Sequence, residues 1–188
     1  MVALIWHYIK IWQSESPYNL IVTLYGHTDI VNTLAVLPVS SNIVSGSSDT
    51  TIKIWQSEYP YNWITTLNAD KNVKPLALLT NLYIKSGSTD DATLILWRIN
   101  IVFNYRNKLE GHIGSINDLK FINNSDLASC SSDNSIRIWD INTSQVKSIN
   151  LAAHNRSCLS LCLFNYVRLV SSSEDKAIKF SYLKYENS

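Results

Sequence analysis

An all-β array of repeated units is what this sequence predicts, and three observations predict it. A tryptophan recurs at positions 12, 55, 97 and 139, at intervals of 43, 42 and 42 residues. Between these markers lie short apolar, β-branched runs separated by Pro-, Asn-, Ser- and Asp-containing turns, the pattern of short antiparallel strands. No window sustains the 3.6-residue apolar period of an amphipathic helix. A fixed period of this length outranks local propensity, because each unit must bury its faces on its neighbours.

Taken in order, the chain opens with an apolar run, Val2–Trp12, read as one strand. Ile9-Lys10-Ile11-Trp12-Gln13-Ser14-Glu15 recurs as Ile52-Lys53-Ile54-Trp55-Gln56-Ser57-Glu58, and through Leu24 and Leu67 the two copies keep 13 of 16 positions identical. Leu20–Leu24 follows as a second strand. The next unit reads as four: Ile30–Val36, Asn42–Ser47 after a Pro38…Ser41 turn, Thr51–Trp55 after an Asp-centred turn, and Trp63–Leu67 after Pro60-Tyr61-Asn62. Leu94–Trp97, Ile136–Asp140 and Ala177–Ser181 mark later copies, with Ser181 standing where a tryptophan is due. Gly26-His27, Gly111-His112 and the weaker Ala153-His154 stand upstream of such strands. Closer to each lies a serine-rich turn ending in an acid: Ser45–Asp49, Ser86–Asp90, Ser129–Asp133 and Ser171–Asp175.

This succession of Gly-His, Ser-x-Ser-x-Asp and Ile-x-Ile-Trp at a period of about 42 resembles the WD40 repeat over nearly the whole chain. The resemblance implies one WD40 repeat domain over 1–188: a partial blade at 1–25, then repeats at about 26–67, 68–109, 110–151 and 152–188. WD40 rings usually need seven blades, or about 300 residues at this period. The expected fold is therefore an all-β WD40 β-propeller of about four blades, an open arc or a fragment of a larger seven-bladed propeller. The Trp6 residue at the turn-Asp position makes the first copy look cut in mid-blade. The alternative is that Leu20–Leu24 joins the last three strands and closes a four-bladed ring.

Ser, His and Asp are the components of a nucleophilic triad. A catalytic set occurs once, however, and this one recurs in register: His27, Ser45, Asp49 and Trp55, then His112, Ser129, Asp133 and Trp139, then His154, Ser171 and Asp175. The resemblance implies that these residues form a buried hydrogen-bond network within each blade. The second full unit departs from it, with Ala69-Asp70 in place of Gly-His and an extra residue that leaves Asp90 and Asp91 competing for the turn. The Ser181 blade should be the loosest. Adjacent acids at Asp90-Asp91 and Glu174-Asp175 read as turn chemistry rather than a metal or acid/base pair. Only five glycines are present and none builds a phosphate-binding loop.

Sixteen Lys and Arg against fifteen Asp and Glu give a net charge of +1, without the basic excess of a phosphate-binding surface. No apolar run reaches the length of a membrane span and the start lacks the features of a signal peptide. Cys130, Cys158 and Cys162 have no zinc-ligand spacing and are expected to be reduced core thiols, which fits a cytoplasmic protein, with the nucleus as the second location. No cofactor, metal, nucleic acid or membrane is expected. The reading is a non-enzymatic scaffold that binds other proteins or peptides, with self-association through exposed blade edges. The alternatives are the WD40 segment of a larger multidomain signalling or regulatory protein, or a propeller enzyme with a central-channel site. By resemblance, partner-facing positions fall on the rim where each first strand begins: Ile30, Asn32, Ser48, Ser115, Asn117, Ser132, Ser160 and Glu174.

Overall fold

The computed structural model of the chain describes residues 2–5, 7–38, 40–69, 71–79, 83–88, 92–98, 105–149, 154–164 and 168–183. These residues form eighteen strands and no helix. Sheet one holds β1 (Val2–Ile5), β2 (Tyr8–Trp12) and β3 (Leu20–Tyr25). Sheet two holds β4 (Val31–Val36), β5 (Ile43–Ser47), β6 (Thr51–Trp55) and β7 (Trp63–Asn68). Sheet three holds β8 (Val73–Leu79), β9 (Tyr83–Ser88), β10 (Leu94–Arg98) and β11 (Tyr105–Leu109), and sheet four β12 (Ile116–Phe121), β13 (Asp126–Ser131), β14 (Ile136–Asp140) and β15 (Gln145–Ile149). Sheet five ends the array with β16 (Cys158–Phe164), β17 (Arg168–Ser173) and β18 (Ile178–Tyr182). Every sheet is an antiparallel meander in chain order.

The sheets stack as blades because inner strands such as β5 and β6 bury both faces. With a side-chain period of two, Ile52 and Ile54 of β6 point forward onto Val73, Ile95 and Trp97 of sheet three. Trp55 points backward onto Ile9, Ile11 and Leu24 of sheet one. The same rule packs Leu94 and Leu109 against Ile116, Leu127 and Trp139, and Ile136 and Ile138 against Cys158, Leu161 and Leu169. The core is thus a series of inter-sheet layers. The first strands of sheets two to five pack side by side, β4 on β8, β8 on β12 and β12 on β16. Among the described residues, no comparable packing joins sheet five to sheet one, so the arc is open.

Three expectations are corrected. Val2–Trp12 is two strands, not one: Ile5 pairs with Tyr8, and the chain reverses there through an exposed His7. Leu20–Tyr25 stays paired with β2, Ile9 opposite Leu24 and Lys10 opposite Thr23, and does not close a ring with β18. Cys130 and Cys158 are buried free thiols, but Cys162 is exposed. The cause is a bulge between Cys158 and Ser160, which shifts the phase of β16 so that Leu161, not Cys162, faces the core. Trp6, Asp70, Asp90 and Asp91 lie outside the described residues.

Candidate functional site

In sheets two, four and five the turn between the second and third strands is built around one aspartate. Asp49 Oδ1 accepts from the Thr51 amide at 2.9 Å, Asp133 Oδ1 from Ser135 at 2.9 Å and Asp175 Oδ1 from Ala177 at 3.0 Å. The reversal puts the next residue in the left-handed region, at φ 67° for Thr50, 70° for Asn134 and 67° for Lys176. In sheet three Ala92 holds that conformation at 58°. The second oxygen of each aspartate reaches back to the incoming loop. Asp49, Asp133 and Asp175 Oδ2 accept from the backbone of Thr28, Ile113 and Asn155 at 3.0, 3.1 and 3.1 Å.

From there a chain of side chains runs inward. His27 Nδ1 lies 2.8 Å from Asp49 Oδ2 and its Nε2 lies 2.7 Å from Ser45 Oγ, which accepts from Trp55 Nε1 at 2.8 Å. In sheet four His112 meets Asp133 at 2.7 Å and Ser129 at 2.7 Å, and Trp139 donates to Ser129 at 2.7 Å. Sheet five repeats the first two links, His154 to Asp175 at 2.8 Å and to Ser171 at 2.9 Å. Sheet three keeps the last link, Trp97 to Ser86 at 3.0 Å. Its Ala69 is buried at the Gly position.

The protonation states follow from the partners. A carboxylate only accepts, so Nδ1 carries the imidazole proton and Nε2 accepts from the serine hydroxyl. Burial holds His27 and His112 below the ordinary histidine pKa, outweighing the opposing pull of Asp49 and Asp133, and so keeps them neutral. Burial alone would raise Asp133, but hydrogen bonds from Ser135, His112 and two backbone amides outweigh it and bring the carboxyl down to about 2. Asp49 is lowered in the same way, with Thr51, Thr28 and His27 as donors overcoming burial. The Asp-His-Ser order is that of a hydrolytic triad, yet the serines are unlike nucleophiles. Ser45 and Ser129 are 0% exposed, and each hydroxyl oxygen is already capped by an indole N–H.

The rim positions divide into two groups. Asn32 and Asn117, displaced by bulges in β4 and β12, turn toward the next sheet. Asn32 Nδ2 donates to Ser48 Oγ, Asn72 Oδ1 and Val73 O at 2.9, 3.0 and 3.0 Å. Asn117 Nδ2 donates to Ser132 Oγ, Ser157 Oγ and Cys158 O at 3.1, 3.2 and 2.7 Å. These amides are inter-sheet bridges. Ile30, Ser132, Ser160 and Glu174 are exposed, whereas Ser48 and Ser115 are half-buried, and Ser160 Oγ donates to Asp118 Oδ2 at 2.8 Å. Backbone links from Ser48 to Ile30, Ser132 to Ser115 and Glu174 to Ser157 fasten the rim to the incoming loops at 2.9, 2.9 and 3.1 Å. Sequence reasoning missed Ile113 and Leu159, 90% and 45% exposed on the same rim. Alignment of the repeats held the signal, since Ile113 follows a histidine where Thr28 does and Leu159 aligns with Asn32 and Asn117.

Comparison with known proteins gives three findings. The family model described as WD domain, G-beta repeat matches residues 18–56 and 103–140. The chain is 34% identical over 133 residues to the nuclear distribution protein nudF of Aspergillus flavus, and equally to that of Aspergillus oryzae, covering 68% of this chain. It spans only 29% of the length of those relatives. The solved WD40 beta propeller domain of Doa1 superposes with a TM-score of 0.82 at 22% identity, covering 97% of this chain and 61% of that one.

Proposed function

Because the chain is built of WD40 repeats, we propose that it is a non-enzymatic scaffold that holds protein or peptide partners on the rim where the first strands begin. The observation that carries this reading is the exposure of Ile30, Ile113 and Leu159, 48%, 90% and 45%, on a rim that inter-sheet hydrogen bonds make rigid. Exposed aliphatic groups beside fixed polar atoms suit the apolar anchors and polar surround of a protein interface. Ser132, Ser160 and Glu174 supply that polar surround. The near-neutral charge favours protein over nucleic acid as the partner. Three free cysteines support a cytoplasmic or nuclear location. The partial coverage of the nudF relatives supports a second reading in which the same rim works as the WD40 segment of a larger regulatory protein.

Selection of binders from a random peptide library against the 188-residue chain tests the proposal. The Ile113→Ser, Leu159→Ser double variant should bind the selected peptides at least about tenfold more weakly while keeping its urea midpoint. Peptides that bind the double variant unchanged would remove the rim from the function.

A further inference from the structure

The junctions between sheets share one close contact. On the second strand of sheet two, a Cβ placed on Gly46 would lie 2.5 Å from Cγ1 of Val73, the first residue of sheet three. On sheet three, a Cβ on Gly87 would lie 2.8 Å from Cγ2 of Ile116, the first residue of sheet four. Glycine opposite Val or Ile is thus the rule at two successive junctions. At the next, both partners change together. Cys130 takes the glycine position, paired with Asp118 and Ile136 as Gly46 is with Thr33 and Ile52, and Cys158 begins sheet five. Both thiols are 0% exposed and free, β13 packs on β16, and the two residues belong to one buried cluster.

We propose that Cys130 and Cys158 are a covalent modification site, converted by a peroxide-class oxidant into a disulfide that staples sheet four to sheet five. The first sulfur, as thiolate, attacks a peroxide oxygen and breaks the O–O bond, giving a sulfenic acid and hydroxide. The second sulfur then attacks that sulfenic sulfur, the S–S bond forms, the S–O bond breaks, and the oxygen leaves as water. In sum, two thiols and one peroxide give one disulfide and two waters, the sulfurs oxidised and the peroxide reduced. In the closed state a hydrogen bond with Cys158 and burial push the Cys130 thiol up, which keeps it unreactive. Access comes from sheet five itself. Among the described residues it packs on one side only, and its outer face shows Ile178 and Phe180, 68% and 60% exposed, where Ile52 and Ile54 of sheet two are covered. Such an end unit opens locally at lower cost than an interior one.

The experiment uses the full chain carrying Cys162→Ser, which removes the exposed thiol and its intermolecular chemistry. The protein is treated with hydrogen peroxide, alkylated in denaturant and digested without reduction. The expected product is one linked peptide pair joining Cys130 to Cys158, lighter by two hydrogens and restored to two alkylated thiols by dithiothreitol. Low urea, which opens the end sheet, should speed its formation. Oxidation should raise the urea midpoint of this protein and leave that of a Cys130→Gly, Cys158→Val variant, which restores the other junctions' pairing, unchanged. Full alkylation of both cysteines after peroxide, or separate sulfinic acids with no linked peptide, would overturn the proposal.

Discussion

Replacing Ser129 by alanine removes the one atom that joins two buried nitrogens. Its hydroxyl accepts from Trp139 Nε1 at 2.7 Å and lies 2.7 Å from His112 Nε2, and the residue is 0% exposed. Ser129→Ala leaves an indole N–H and an imidazole nitrogen without their partner in a region closed to water. At about 1–3 kcal/mol for each of the two stranded groups, the expected loss is about 2–6 kcal/mol. The repeats supply an internal calibration. Ser86, in sheet three, receives the Trp97 N–H at 3.0 Å, and the residue at the histidine position there is an aspartate. Ser86→Ala should therefore cost about 1–3 kcal/mol. Ser171→Ala, in the sheet that carries Ser181 in place of tryptophan, strands His154 Nε2. Urea denaturation of the three variants, followed by tryptophan fluorescence and by far-ultraviolet circular dichroism, measures the series. Equal losses at positions 129 and 86 would refute the additive network.

Stability should fall as pH drops, in two stages. His27 and His112 have folded pKa values below the unfolded 6.5, so their contribution is complete above 6.5 and erodes below it; Asp133, at about 2 against 3.8 unfolded, adds about 1–2 kcal/mol after allowance for screening, lost between about pH 4 and 2. A denaturation midpoint that stays level from pH 7 to pH 3 would contradict both assignments. Gly46→Ala should destabilise by about 1–3 kcal/mol, because its methyl would lie 2.5 Å from Val73 and 2.9 Å from Thr33, and wild-type stability in urea would show that the junction has room. The bare outer face of sheet five should drive association, so sedimentation velocity over a concentration series should show Ile178→Lys, Phe180→Lys shifting the chain toward monomer; a parent already monomeric throughout would exclude it.

The period of the tryptophans carried most of the architecture, because a residue that packs backward in successive units, as Trp55, Trp97 and Trp139 do, must recur at the unit length. What eluded the sequence had local causes. The reversal between Ile5 and Tyr8 has no Gly, Asn, Asp or Pro in its sequence to announce it. The phase of β16 depends on a bulge that composition does not encode, and a bulge is also what turns Asn32 and Asn117 from the rim toward the neighbouring sheet. Ile113 and Leu159 were overlooked because they are the positions where copies differ, and a repeat search rewards sameness.

The hairpins β2–β3 and β6–β7 share more than sequence. Each has the same register, the same bulge before its tryptophan, and the same turn, with Gln13 and Gln56 amides donating to Asn19 and Asn62 at 2.9 Å. During folding, β6 therefore meets two nearly equivalent suitors, its own β7 and the β3 of the preceding sheet. Of the three positions that differ, Ser16 against Tyr59 lies in the turn, and Leu20 against Trp63 is the larger of the two changes within the strands. The Trp63 ring meets Trp55 edge-on, with centroids 6.4 Å apart, and the Lys53 ammonium sits 5.1 Å above it. A β3 in that place would offer a leucine to both. Correct pairing of two adjacent, nearly duplicate segments thus rests largely on one half-exposed indole, and without it the chain would be open to strand exchange within a molecule or between molecules.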